Sequence, residues 1–208
     1  MTQQISIDTE VHLEKIDSKH RRIFKAALPF LETRQNKIHT YLAYQSALDL
    51  LIYESGRPDI VMPAVILHDV GWSTISETDQ LTAFGPFAKN NGLRRKHEIE
   101  GVAIAESILS GLNWDEHLMP KILEIIDGHD TTQQARSAED AVVKDADKLW
   151  RVSKIGFRVD VQRFETQPAL HIKYLRKALP VWFLTGRGRE LAFAELKMRE
   201  SELQWITT

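Results

Sequence analysis

The 208-residue chain has no cysteine, and that absence excludes disulfides, thiolate nucleophiles and cysteine-bound zinc or iron–sulfur sites. It also lacks an excess of charge of one sign: 27 Lys and Arg stand against 29 Asp and Glu, a formal net charge of −2. Without a basic field no extended nucleic acid is expected as a partner, while a small nucleotide substrate stays open. No apolar run approaches the length of a membrane span, so no membrane partner is expected. The first ten residues, Met1 to Glu10, show no basic segment followed by an apolar one. That pattern predicts no signal peptide and makes the cytoplasm the expected location. Strand-type alternation, internal repeats and low-complexity stretches are missing too.

What remains is helical. Ile23, Ala26, Ala27, Phe30 and Leu31 predict a helix over 18–33 that Pro29 splits or kinks. Ile38, Tyr41, Leu42, Gln45, Leu48 and Ile52 recur at threes and fours over 37–55, with Gly56 as the stop and His39 on the first turn. A short helix runs from Arg57-Pro58-Asp59 to His68-Asp69, where Pro63 is tolerable only near the start. Residues 72–92 read as a long loop with turns at Gly85-Pro86 and Asn90-Asn91-Gly92, a length that often marks a lid. Further helices are expected over 95–109, 114–129, 138–157, 168–178 and 187–203. The expected fold class is all-α, in a single domain over 1–208. Its core covers about 35–160, with an N-terminal helical extension and C-terminal helices over 161–208 packed on it. The apolar segments Trp182-Phe183-Leu184 and Trp205-Ile206 can close that core or form a homo-oligomer interface.

The chemistry is concentrated where the apolar run Ile60–Leu67 ends in His68-Asp69. A charged Asp at the end of a buried segment costs several kcal/mol unless a cation or a set of donors satisfies it. More potential ligands lie on or beside separate helices: His39, His97, His129 and Asp147. Helical bundles build internal metal sites in this way, from side chains converging off facing helices. Imidazole and carboxylate without thiolate suit one or two divalent transition ions, Mn, Fe, Co, Zn or Ni, better than calcium. A carboxylate can bridge two cations, and Asp69 is the candidate bridge. Two metals held close together clamp a phosphoryl group and activate a water, which is the physical route from these residues to phosphoester hydrolysis.

Over about residues 35–160 the ordered pattern His39…His68-Asp69…Asp147 resembles the signature of the HD-domain metal-dependent phosphohydrolases. Three surroundings sharpen the resemblance: Leu67-His68-Asp69-Val70-Gly71, Lys96-His97-Glu98-Ile99-Glu100-Gly101, and Lys144-Asp145-Ala146-Asp147-Lys148-Leu149. It implies a right-angled bundle of helices in which His39, His68, Asp69 and Asp147 hold a first metal. His97 and His129 would complete a second, and Lys148 would contact a phosphate of a small phosphorylated substrate: a phosphomonoester, nucleotide or phosphodiester. Asp145 and Asp147 lie two apart and cannot point the same way; the resemblance selects Asp147. It also admits two rivals, a mixed-valent di-iron oxygenase on the same ligands and a non-catalytic ligand-binding module.

One position departs from the pattern. Some mononuclear members place an acid three residues after the Asp of the doublet, where this chain has Trp72. Beside Asp69, the catalytic candidates are then Lys96, Asp130 and a metal-bound water. Arg94, Arg95 and Lys96 offer a phosphate-attracting rim, Arg34 has a similar claim, and Trp72 or Phe84 either stacks on a base or anchors its loop. His20, His117 and His171 are read as packing or surface residues.

Overall fold

The apolar run Ile60–Leu67 is buried on every side, and four other helices pack around it. The computed structural model describes residues 11–86 and 88–206, apart from the side chains of 204–206. The expectations for the first ten residues and for the Trp205 and Ile206 side chains lie outside the described residues. The helices are α1 (Ser18–Ala27), α2 (Asn36–Tyr53), α3 (Pro58–Leu67), α4 (Glu77–Gln80), α5 (Asn91–Gly111), α6 (Met119–Ile126), α7 (Ala138–Leu149), α8 (Lys154–Arg163), α9 (Pro168–Trp182) and α10 (Gly186–Ile206). Among the described residues there is no strand, and the chain is all-α as expected. None of these helices is long and apolar enough to cross a membrane.

A helix that is apolar all round belongs in a core rather than on a surface, and α3 packs against α1, α2, α6 and α7. Pro63 lies inside it. The bond forfeited there is the one to the carbonyl of Asp59, in the first turn where the helix still reaches solvent. Immediately after α3 a 3-10 turn, Val70–Thr74, runs along α5. Gly71 permits that approach: a Cβ built on it would lie 1.9 Å from the carbonyl oxygen of His97 and 2.5 Å from the amide nitrogen of Gly101.

Several boundaries differ from the sequence reading, each for a local reason. The helix expected over 138–157 is broken at Trp150–Val152, because Ser153 caps a new helix by accepting from the amide of Gly156. The helix expected over 114–129 spans only Met119–Ile126, with Pro120 in its first turn. The helix expected over 168–178 runs on through Pro180 to Trp182, and the chain turns at Phe183–Thr185 instead. There the carboxylate of Asp145 accepts from the amides of Leu184 and Thr185 at 2.9 and 2.8 Å and from the Thr185 hydroxyl at 2.7 Å. Phe183 enters the core.

The long loop is also more ordered than a lid. Trp72, Ile75, Ala83 and Phe84 form a cluster of their own, closed by Leu93 and Phe164. Gln80, fully buried, donates to the carbonyls of Trp72 and Ile75 at 2.9 and 2.6 Å.

Replacing Gly71 by Ala should push the 3-10 turn off α5 and cost about 3 kcal/mol. Urea unfolding would measure this; a midpoint equal to that of the parent protein would show that the two segments are not as tightly joined as described.

Candidate metal centre

The helices deliver six side chains to one buried place. His39 comes from the first turn of α2, His68 from the C-terminal end of α3, His97 from α5, and Asp147 from α7. His129 follows α6 in a turn that Gly128 makes possible with φ of 116°. All six are buried.

Their facing atoms form two sets. His39 Nε2 is 3.0 Å from His68 Nε2, 3.4 Å from Asp69 Oδ2 and 3.3 Å from Asp147 Oδ1. His68 Nε2 lies 3.6 Å from each of the same two carboxylate oxygens. In the second set, His97 Nε2 and His129 Nε2 are 3.2 Å apart and lie 3.9 and 3.6 Å from Asp69 Oδ1. Donors held about 2.1 Å from a shared ion are separated by about 3.0–3.4 Å; the imidazole pair of each set has that spacing, and the contacts at 3.6–3.9 Å are a few tenths of an ångström wider. The two oxygens of Asp69 face different sets, as a bridging carboxylate requires.

The surroundings fix the donors. The Nδ1 atoms of His68 and His129 lie 2.7 and 2.9 Å from the carbonyls of Val65 and Ile126. A proton on those nitrogens leaves each Nε2 lone pair facing the centre. Trp72 donates its indole N–H to Asp69 Oδ1 at 3.0 Å and stacks on His97, with centroids 4.0 Å apart.

The electrostatics mark a place for positive charge. Burial opposes a cation at His68, but the carboxylates of Asp69 and Asp147 outweigh it and push its pKa up to about 9. Burial and the neighbouring His129 push His97 down to about 4. Burial alone would raise the carboxyls of Asp69 and Asp147; the imidazoles, and for Asp147 above all the Lys148 ammonium, hold both well below the usual carboxylate range. Burying the Arg34 guanidinium lowers its pKa to about 10 despite the nearby Asp69.

A model of the HD domain family matches residues 37–151, more than half of the chain. The chain belongs to the HD-domain family. Neither a curated protein nor a solved structure matches it. HD-domain proteins are mostly metal-dependent hydrolases, and the buried His/Asp cluster of this one can bind a divalent metal.

Two clefts meet at the centre. One, of about 30 Å³, is lined by His39, Asp69, Trp72, Asp130 and Asp147 together with Arg34, Arg151 and Arg163. The other, of about 420 Å³, is lined by Arg94, His129, Asp130, Lys148 and Trp182 among others. Asp130 belongs to both walls. Lys148 is bonded to Asp147 and, at 3.1 Å, to Asp130. Trp72 is a wall of the small cleft, with His97 stacked on it and the Arg34 guanidinium over it at 4.5 Å. Two positions suggested by the sequence lie elsewhere. Lys96 is exposed, and Arg95 turns to Glu98 and Asp127 at 3.0 and 2.5 Å. Their place beside the centre is taken by Arg94, whose guanidinium donates to the Asp130 carbonyl at 3.1 Å. His20 is buried against the Tyr44 hydroxyl, His171 is buried, and His117 is exposed.

Sequence reasoning passed over two charged residues that shape the His129 turn. Glu98, fully buried, accepts from the amides of Asp130 and Thr131 at 2.9 and 2.8 Å. Lys144 donates to the carbonyls of Gly128, His129 and Thr132 at 2.6, 3.1 and 3.2 Å. A signal existed for Lys144, which stands one helical turn before Lys148 among Val142, Val143 and Ala146.

Lys144→Met should leave those carbonyls without their donor, lowering stability by about 2–3 kcal/mol. It should also weaken metal binding about 10–100-fold by releasing the turn that carries His129. Denaturant unfolding and metal titration followed by calorimetry would read the two effects separately, and an unchanged metal affinity would contradict the second.

Proposed function

We propose that this HD-domain protein is a metal-dependent phosphohydrolase that cleaves a small phosphorylated substrate. The observation that supports this most is the division of Asp69 between two sets of donors. His39, His68, Asp69 and Asp147 would hold one divalent ion, and Asp69, His97 and His129 a second. Ions so held polarise phosphoryl oxygens and lower the pKa of water, the two things that phosphoester hydrolysis needs at neutral pH.

The remaining side chains orient and neutralise. Lys148 holds Asp147 against the imidazoles and sets Asp130 at the junction of the two clefts. Burial would raise the Asp130 carboxyl, but Lys148, His129 and Arg94 hold it far below the usual range. Burial would lower the Lys148 pKa, but Asp147 and Asp130 raise it above the ordinary lysine value. An ionised Asp130 accepts protons from water rather than donating them, and a stabilised ammonium gives up its proton poorly. Neither group is a ready general acid, and Lys96 is exposed away from both clefts. The leaving oxygen would therefore depart with little help from a protein acid. A cytoplasmic location belongs to this reading, and a homo-oligomer is compatible with it.

Elemental analysis of the protein purified without chelator should find about two divalent ions per chain, falling to about one in His97→Ala and His129→Ala. One ion in the unaltered protein would reduce the centre to the His39 set. Iron with oxygen consumption, and no hydrolysis with any metal, would replace the hydrolase by an oxygenase.

Asp69→Ala should abolish both metal binding and turnover while the far-ultraviolet circular dichroism stays helical; normal turnover in that variant would rule out the mechanism. Without a protein acid, p-nitrophenyl phosphate should be cleaved on the order of a hundredfold faster than an alkyl phosphate. Equal rates would mean that a proton donor acts in the cleft.

A further inference from the structure

Three arginines crowd the closed end of the small cleft, and one of them has no carboxylate of its own. Arg34, Arg151 and Arg163 line it, and their guanidinium carbons lie 4.4, 5.5 and 5.6 Å from the centroid of the Phe84 ring. One buried carboxylate, Asp160, serves two of them: Arg151 donates to one of its oxygens at 2.9 Å and Arg163 to the other at 3.2 Å. Arg34 has no such partner; its Nη2 donates to the amide oxygen of Asn36 at 3.3 Å. Asp69 Oδ2 is 3.9 Å away, beyond hydrogen-bond reach and already beside His39 and His68. The Arg34 side chain is only 8% exposed, and its Nε has no hydrogen-bond partner among the described residues.

Such an arrangement costs free energy unless something compensates it, because a buried guanidinium without a matching anion loses its hydration. The backbone adds to the cost, since Arg34 and Gln35 both adopt the left-handed region, with φ of 50° and 65°. Arg163 reinforces that placement by donating to the Arg34 carbonyl at 2.8 Å. Guanidinium groups bind phosphate oxygens in paired, directional contacts. The space they surround, about 30 Å³, takes two or three water-sized groups and no organic arm. Room for the rest of a molecule lies on the other side of Asp130, in the 420 Å³ cleft.

We propose that Arg34, Arg151 and Arg163 form the seat of a terminal, dianionic phosphate group, so that the substrate is a phosphomonoester and not a diester. This rests on the phosphohydrolase reading and narrows it. A terminal phosphate fits a closed end, whereas a diester needs space on both sides of phosphorus, and a guanidinium without a carboxylate in reach favours the more highly charged group. The phosphate sits at the closed end of the site, and the leaving group extends past Asp130 toward Thr131 and Trp182. Phosphate recognition then belongs to the arginines, while Lys148, saturated by Asp147 and Asp130, is a positioning residue.

The test uses the metal-loaded full chain and inorganic phosphate as the probe. Isothermal calorimetry should show phosphate binding, with acetate binding far more weakly. Arg34→Gln and Arg163→Ala should each weaken phosphate by about tenfold or more. Metal content and melting temperature should stay close to those of the parent; in Arg163→Ala, Arg151 still pairs with Asp160. In parallel, p-nitrophenyl phosphate should be hydrolysed on the order of a hundredfold faster than bis(p-nitrophenyl) phosphate. Unchanged phosphate affinity in both variants would overturn the seat and leave the arginines as supports of the fold. Faster cleavage of the diester would overturn the assignment of substrate class. If no phosphoester is hydrolysed while phosphate binding still depends on Arg34 and Arg163, the anion seat stands and the hydrolase reading fails.

Discussion

A carboxylate with its two oxygens turned to different imidazole pairs is hard to bury, and Asp69 is 8% exposed. In a low-dielectric interior its charge is tolerable only if cations or strong donors face it. The structure meets that demand from every direction. His39 and His68 lie on one oxygen, His97 and His129 on the other, and the Trp72 indole donates to the second. Each of these comes from a different segment. The helices must therefore converge on one point, and the apolar α3 takes Asp69 there by running through the middle of the bundle. Fold and site are consequently one construction: moving any of the converging segments removes a partner from a buried charge.

Keeping the segments in place takes a second tier of buried charge. Glu98 accepts the amides that follow His129, and Lys144 donates to the carbonyls on either side of it. The turn carrying His129 is thus gripped through its backbone by one anion and one cation from two separate helices, α5 and α7. Asp145 does similar work on the opposite side of α7, accepting the amides of Leu184 and Thr185 where the chain reverses between α9 and α10. Burial pushes the Asp145 carboxyl up, and three hydrogen bonds to the carboxylate oppose that shift. One helix thereby points Asp147 at the centre and Asp145 at the scaffold, two residues apart and on different faces.

The converging histidines and aspartates were legible in the sequence because metal ligation restricts residue type. Only a few side chains can do it, and six of them in order at helix ends are not easily explained by packing. Gly71 was legible as part of the same motif, and the reason for it is the carbonyl of His97 against its Cα. The supporting charges were not legible in this way. Lys144 and Glu98 look like the solvated residues of any amphipathic helix, and what makes them structural is the turn that arrives from elsewhere in the chain. Arg151 and Arg163 share that difficulty, since Asp160 and the strained backbone of Arg34 bring them to the cleft. Helix boundaries failed where a short cap outweighed a long apolar pattern: the periodicity runs on past Trp150, yet Ser153 starts a new helix. Pro180 is the converse case, a residue that reads as a stop but is carried inside the last turn of α9.

Trp72 shows how a departure from a familiar pattern can be read physically. An acidic side chain at that position would set another negative charge against Asp69, whose oxygens already share four imidazoles. The indole instead supplies an N–H to Asp69 Oδ1 and a flat face against which His97 stacks. That stacking holds the ring of His97, the one imidazole of the centre whose Nδ1 is buried without a hydrogen-bond partner among the described residues. A backbone carbonyl orients two of the other rings, Val65 for His68 and Ile126 for His129; at His97 aromatic packing does it. Trp72 in turn is held by Gln80, which donates to its carbonyl, and by the edge of Phe84, 5.9 Å away between ring centroids. The segment after the His-Asp doublet is therefore folded back on the centre as a wall. The same residue that leaves position 72 without an acid positions the His97 imidazole and closes one end of the site.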